Sequence, residues 1–326
     1  MIPKHALNAI DKLLQDVCNN KFPFGGKVIL MGGNFRQILP VVKRGQPADI
    51  VEACIKCSQH WQYVQRFSLT ENMRVQAEEE EFSQWLLKLG SGTLPLKADG
   101  SFRGCIEIPE QCLLGENESL VDKIFGVADK DDYAKRAILT PNNVDSLAIN
   151  EEVLDRLPGG VKNSLTPSGM PVHCLKLKIG AVIMLLRNLD LKAGLCNGTR
   201  LIVRALQNNY IDGQVLTGVS VGKRVFVPRV QLTQSDSNLP FTLKRRQFPV
   251  RLAYSMTINK SQGQTFDKVG IYLKNPCFSH GQLYVACSRT RSFNTLFFKI
   301  DEHSLQGMSF NKCYTNNVVF TNVLNL

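Results

Sequence analysis

The chain is 326 residues long, enough for about two domains, and 44% of it is hydrophobic, which excludes the disordered and fibrous classes. No apolar run nears the roughly 18–20 residues of a membrane-spanning helix, and the residues after Met1 form no signal-peptide core. Residues 1–150 hold 17 basic and 19 acidic residues, a net of −2, whereas 151–326 hold 22 basic and 9 acidic, a net of +13. That asymmetry suits either a polyanion bound mainly by the back half or a solvated basic surface.

In chain order, Ala6, Leu7, Ile10, Leu13, Leu14 and Val17 fall at helical spacing and predict an amphipathic helix, ended by Asn19-Asn20 and Pro23. Lys27 to Met31 is a short, continuously apolar run, the pattern of a buried parallel strand, and it stops at a Gly32-Gly33 turn. Cys54 and Cys57 with His60 lack the further pair that would complete four zinc ligands. The ten cysteines show no paired framework, so no metal site is expected and reduced intracellular thiols are. Arg66 to Leu69 is strand-like, Glu78 to Glu81 marks a solvated helix start, and 90–118, rich in Gly, Pro and Ser, is expected as loop.

Arg136 to Leu139 predicts a buried strand. Thr140-Pro141-Asn142-Asn143 then supplies a cap for a helix carrying Val144, Leu147, Ala148, Val153 and Leu154. From about 175 to 245, short apolar runs (Ala181 to Leu186, Arg200 to Ala205, Val225 to Val227) alternate with turn residues, which predicts an inserted antiparallel barrel. Strands follow at Pro249 to Ser255 and Val269 to Leu273, a helix at Gly281 to Arg289, and a closing strand at Thr295 to Ile300. Strands alternating with helices give an α/β fold.

Three segments carry chemistry. Gly32-Gly33-Asn34-Phe35-Arg36-Gln37 follows a predicted strand, where glycines admit backbone N–H groups to a phosphate and a Gln orients a water or a terminal phosphate oxygen. Arg74 and Arg289 are candidates for the positive charge that phosphoryl transfer requires. Thr257 to Thr265 packs hydroxyls, amides, a Lys and a Gly behind a strand, donors suited to a nucleic-acid backbone.

In order, these segments resemble the PIF-type DNA helicases, which are related to RecD within helicase superfamily one and include those of Helitron transposons. The resemblance covers nearly the whole chain. Gly32 to Pro40 is similar to the third helicase motif, with Gln37 as γ-phosphate sensor. Leu69 to Arg74 is similar to the segment bearing one arginine finger. Ile138 to Asn142 resembles the start of the second motor domain, and Asn197-Gly198-Thr199-Arg200 the turn into an SH3-like insertion. Thr257 to Thr265 resembles the fifth motif, which touches single-stranded DNA, and Tyr284 to Arg289 the sixth, with Arg289 as second finger.

The resemblance implies a tandem of RecA-like P-loop NTPase domains with an SH3-like all-β insertion in the second. The first motor domain would occupy 1–75, a linker and helical region 76–135, and the second motor domain 136–326 with its barrel at about 200–247. It implies an ATP-dependent, 5′-to-3′ helicase that moves on single-stranded DNA and opens duplex junctions in repair, recombination, telomere maintenance or transposition. Gly32, Gly33, Gln37, Arg74, Gly263 and Arg289 would face ATP, whose Mg²⁺ only the full-length parent would hold, while Thr257, Asn259, Lys260, Ser261 and Gln262 would hold DNA. A monomer in the nucleus, with the mitochondrion second, is the implied setting.

Two positions depart from the family: Asn34 stands where Asp is usual and Asn259 where His is common. No G-x-x-x-x-G-K-[ST] occurs in the chain, nor the acidic pair that holds Mg²⁺. An N-terminally truncated helicase is therefore expected, with a first motor domain short of several strands. The alternative is an inactive remnant that still binds nucleic acid.

Overall fold

The computed structural model describes residues 2–42, 45–69, 79–115, 118–126, 132–157, 175–233 and 244–325. The first elements are α1 (Lys4–Cys18), α2 (Pro47–Glu52), α3 (Glu80–Ser91), β1 (Ile106–Glu107), α4 (Leu120–Phe125), β2 (Arg136–Thr140) and α5 (Asn143–Arg156). Seven strands follow: β3 (Val182–Leu185), β4 (Arg200–Leu206), β5 (Tyr210–Val215), β6 (Arg224–Pro228), β7 (Val230–Thr233), β8 (Lys244–Gln247) and β9 (Val250–Leu252). The chain continues through β10 (Ser255–Thr257), β11 (Lys268–Leu273), α6 (Gln282–Cys287), β12 (Leu296–Ile300), β13 (Gln306–Ser309), β14 (Lys312–Thr315) and α7 (Thr321–Asn325). These form two compact units, one of 1–113, 273–296 and 300–326, the other of 114–272 and 297–299.

The second unit is built on a sheet of order β10-β2-β11-β12, in which β10 and β11 both run parallel to β2. Ala137, Ile138, Leu139, Met256, Val269 and Ile271 are fully buried, as strands covered on both faces require. Helix α5 lies against β2 and β10. A buried polar side chain fixes it there. Asn150 Nδ2 donates to Ser255 O (2.7 Å) and Ser146 O (2.8 Å), and its Oδ1 accepts from Tyr254 N (3.0 Å) and Ser255 N (2.9 Å). All the hydrogen-bonding capacity of that amide is used, so its burial costs little.

The predicted β insertion is an antiparallel sheet of order β6-β5-β4-β3-β9, with a bulge in β4 between Val203 and Ala205, beside a β7-β8 pair. It uses residues on either side of 200–247, because β3 and β9 belong to it. The single strand expected at Pro249 to Ser255 is two strands in two sheets: Val250–Leu252 pairs with β3, and Ser255–Thr257 pairs with β2. Ala253 and Tyr254 make the step. Arg200, 1% exposed, grips it from β4: Nη1 donates to Ala134 O (2.7 Å) and Nη2 to Ala253 O (3.1 Å), with the guanidinium 4.9 Å from the Phe266 ring. Burial lowers the Arg200 pKa to about 10. Val182 N donates to the Tyr254 hydroxyl (3.0 Å), a second tie between the insertion and the step.

The first unit holds α1, α2, α3, α6, α7 and the antiparallel sheet β1-β14-β13. Two expectations fail here. Residues 27–31 form no strand, and Val28 and Leu30 are 98% and 95% exposed. A parallel strand is buried by neighbours on its edges and faces, and no described strand pairs with this run. Residues 64–69 likewise form no strand, and Phe67 and Leu69 are exposed.

Helix α1 forms as predicted but turns part of its apolar stripe, Ile10, Leu13 and Val17, outward. Leu13 and Val17 are exposed, whereas Leu7 and Asp11 are buried. Asp11 is tolerated inside because its carboxylate accepts from Phe24 N (2.5 Å) and Gln15 Nε2 (3.0 Å) and lies 3.5 Å from His60 Nε2. His60 is thereby committed to Asp11, and Cys57 Sγ faces Val51 O at 3.4 Å. No group of three or more His, Cys, Asp or Glu forms a metal cluster among the described residues.

Candidate functional site

The Gln37 segment and the Arg289 helix belong to the first unit, where the structure brings them into contact. The tight turn is not at Gly32-Gly33. Those glycines have ordinary φ values, and a Cβ added to either would meet nothing within 4 Å, so nothing local requires glycine there. The turn spans Asn34 to Gln37, closed by Gln37 N donating to Asn34 O (3.1 Å) and by Arg36 N donating to Asn34 Oδ1 (2.9 Å). Asn at the head of a turn makes this local bond as Asp would.

This turn is pinned on three sides. Asn34 Nδ2 donates to the Tyr284 hydroxyl of α6 (3.1 Å), and Arg36 Nε donates to Ser91 Oγ of α3 (2.9 Å). His280 closes the third side. Phe320 N–H donates to His280 Nδ1 (2.8 Å), so the ring proton sits on Nε2, which donates to Phe35 O (2.8 Å). Burial holds the His280 pKa below its ordinary value, which keeps this neutral tautomer. Gly281, at φ +66° before α6, admits the turn: a Cβ there would lie 2.2 Å from Arg36 O.

Gln37, half-buried, thus rides on the N-terminal end of α6, and Arg289 follows the C-terminal end of the same helix. At 1.5 Å per helical residue the two backbones stand roughly 12 Å apart along the axis. The Arg289 side chain is 3% exposed and folds back on its own helix, with Nε donating to Val285 O (2.9 Å) and Nη2 to Ser288 Oγ (2.8 Å). Arg74 lies outside the described residues.

The nucleic-acid candidates lie in the second unit. β10 ends at Thr257, opposite Thr140 at the end of β2, so the chain leaves the sheet at its carboxyl edge. Ligands of open α/β sheets bind beyond that edge. A 3₁₀ turn over Ile258–Ser261 follows, and Gly263 at φ +82° completes the reversal in a conformation that favours glycine. Asn259, Lys260 and Gln262 are exposed. Thr257 and Ser261 are buried, and Ser261 Oγ donates to Ile258 O (2.7 Å), so that hydroxyl holds the turn. The open Lys260 side chain has its amine crowded by protein on several sides. Its pKa is lowered to about 8, first by burial and then by Arg251.

Sequence reasoning passed over two residues that aim these segments, Asn150 under β10 and His280 behind the Asn34–Gln37 turn, and named Arg200, at the step into β10, only as part of the turn into the insertion. His280, directly before a glycine and a helix start, carried a readable signal; Asn150 carried none, and the Asn197–Arg200 turn did not foretell the reach of Arg200 to Ala253 O.

Two family models match the chain: "PIF1-like helicase" over residues 1–100 and "DNA helicase Pif1, 2B domain" over residues 161–206. Among curated relatives, the ATP-dependent DNA helicase PIF1 of Homo sapiens is 28% identical over 316 residues, covering 91% of this chain and 44% of that protein. The ATP-dependent DNA helicase Pif1 of Bdellovibrio bacteriovorus is 28% identical over 307 residues, covering 90% of this chain and 62% of that protein. The chain therefore spans less than half of the human relative. A structure of Bacteroides Pif1 helicase in complex with ADP-AlF3 and ssDNA is similar at a TM-score of 0.66 and 25% identity, over 94% of this chain and 70% of that one. A structure of two coordinating Pif1 helicases at forked dsDNA matches at 0.66 and 25%, over 93% and 68%.

Proposed function

We propose that this chain, a PIF1-like helicase in sequence and fold, supplies the ATP-sensing and DNA-gripping parts of an ATP-dependent DNA helicase. The observation that carries this reading is the turn at Thr257–Gly263. It leaves the carboxyl edge of a parallel sheet, presents Asn259, Lys260 and Gln262 outward, and belongs to the basic half of the chain. In this reading 1–75 belongs to one RecA-like motor domain and 136–326 to the second, joined by 76–135. Thr257, Asn259, Lys260, Ser261 and Gln262 track the backbone of single-stranded DNA, Thr257 and Ser261 by shaping the turn. Gln37 senses the terminal phosphate of ATP, Arg74 and Arg289 offset its developing charge, and Gly32, Gly33 and Gly263 leave room beside the nucleotide. Arg289 would first have to release Val285 O and Ser288 Oγ, which makes its engagement conditional on a rearrangement of the helix end.

Among the described residues no cluster is formed that would hold Mg²⁺, and the sequence offers no P-loop for the β-phosphate. The chain holds no G-x-x-x-x-G-K-[ST], and the described residues contain no acidic cluster of three. That favours a second reading for the 326 residues taken alone: a nucleic-acid-binding unit without turnover. The 5′-to-3′ direction, the monomeric state, nuclear work in repair, recombination, telomere maintenance or transposition, and action at duplex junctions complete the proposal. The test is ATP hydrolysis by the chain with and without oligo-dT, alongside oligo-dT binding. Salt-sensitive binding without hydrolysis is expected. DNA-stimulated turnover by this chain would overturn the assignment of the missing phosphate cradle, and absent binding would overturn the grip.

A further inference from the structure

The Lys260 turn has a neighbour that the motif reading leaves out. Arg251, in the last strand of the insertion, is half-buried, and its Nη1 donates to Asn143 Oδ1 at the 3.5 Å limit of a hydrogen bond. Its Nε and Nη2 are shielded from solvent and make no hydrogen bond among the described residues. Neither Arg251 nor Lys260 forms an ion pair with a carboxylate of the described residues, Asp145 of the nearby helix turn included. A guanidinium with three of its five N–H donors shielded and unbonded is costly unless an anion meets it. Three positive features converge here. The Arg251 charge adds to burial in lowering the Lys260 pKa, and Asn143 opens α5, a 14-residue helix whose N-cap Asn142 makes no side-chain cap bond. A helix start adds partial positive charge and free N–H groups.

We propose that Arg251, Lys260 and the Asn143 end of α5 form a seat for one backbone phosphate of single-stranded DNA, with Arg251 as a contact that the helicase motifs do not include. The seat rests on the nucleic-acid reading of the Thr257–Gly263 turn and extends it into the β insertion. The guanidinium reaches the phosphate by a side-chain rotation away from its 3.5 Å contact, and Lys260, already exposed, closes the other side. A phosphate oxygen carries no base identity, so this contact is indifferent to sequence.

The experiment is fluorescence anisotropy of the full chain with fluorescein-labelled dT16 and dA16 from 50 to 300 mM salt, with melting temperature recorded for each variant. R251Q is expected to weaken binding about 3- to 10-fold for both oligonucleotides and to lower the slope of log affinity against log salt by about 0.7, the value for one phosphate on a single strand. R251K, which keeps the charge without the fork, is expected to fall between R251Q and the wild type. N143D places a carboxylate beside Arg251 at a helix start. It is expected to raise the melting temperature while weakening DNA binding, an opposition that a purely structural role for Arg251 would not give. Wild-type affinity and salt slope in both R251Q and N143D, with K260A weakened, would overturn the seat and leave the turn's role standing. If R251Q does not fold, R251K and N143D decide by the same criteria. Absence of salt-sensitive binding by the wild type would overturn both the seat and the reading beneath it.

Discussion

Replacing Asn150 by Ala is the sharpest perturbation the second unit offers. The substitution leaves Tyr254 N–H, Ser255 N–H and Ser255 C=O without the partners they now have at 2.7–3.0 Å. Tyr254 and Ser255 are both 0% exposed, so water does not replace the lost amide without entering the core. Each orphaned group costs about 1–3 kcal/mol, and entry of a water into the vacated space recovers part of it, giving an expected loss of about 3–5 kcal/mol. That is a large share of the roughly 5–15 kcal/mol that stabilises a typical domain. The assay is urea unfolding of the intact chain followed by far-UV circular dichroism and analysed as separate transitions for the two units. With a slope of about 2 kcal/mol per molar urea, the second unit's midpoint drops by about 1.5–2.5 M. DNA binding should weaken as well, because Ser255 begins the strand that delivers the Thr257–Gly263 turn. A midpoint shift under about 0.3 M would refute the claim that this one side chain fixes α5 against β10.

Other expectations follow from Lys260, His280 and Arg200. Lys260 loses its charge above about pH 8 in the free protein, so affinity for oligo-dT should hold below that pH and fall above it; K260R, which does not titrate there, should flatten the profile. His280 holds its proton less tightly when folded than when unfolded, so the first unit should lose stability as pH falls through about 6.5, where the unfolded imidazole gains its proton first. H280Q should remove that slope in a pH series of melting curves, and a slope that survives in the variant would assign the titration elsewhere. R200K cannot reproduce the forked contacts to Ala134 O and Ala253 O. It should cost about 2–4 kcal/mol in the second unit's urea transition, and a loss below about 0.5 kcal/mol would show that the fork is dispensable.

The sequence was most readable where burial follows periodicity. β2, α5, β3, β4, β6, β11, α6 and β12 all occur within a few residues of the positions that hydrophobic spacing predicts. Spacing says that a segment has an apolar face and leaves open what covers it. Residues 27–31 and Ile10, Leu13 and Val17 of α1 carry the right pattern and lie exposed, while Asp11 of the same helix is inside. Polar anchors were illegible for a related reason. Whether Asn150, Arg200 or His280 is a surface residue or a core strut depends on which backbone groups the folded chain places around it, and that is tertiary information. The single strand predicted at Pro249 to Ser255 concealed a change of partner sheet, because a strand edge is defined by its neighbours and not by its own composition.

That change of partner has a mechanical meaning. Only Ala253 and Tyr254 separate the last strand of the insertion from the first residue of β10, about 10 Å of extended chain at most. The step is also held from outside by Arg200 on Ala253 O and by Val182 N on the Tyr254 hydroxyl. An appendage on a slack tether moves without disturbing its base, but a lever welded at its root transmits every rotation. The insertion is of the second kind. A loop change at the hairpin ends of β4, β5 and β6 is therefore expected to be absorbed there, whereas one at Ala253 or Tyr254 is expected to displace Thr257.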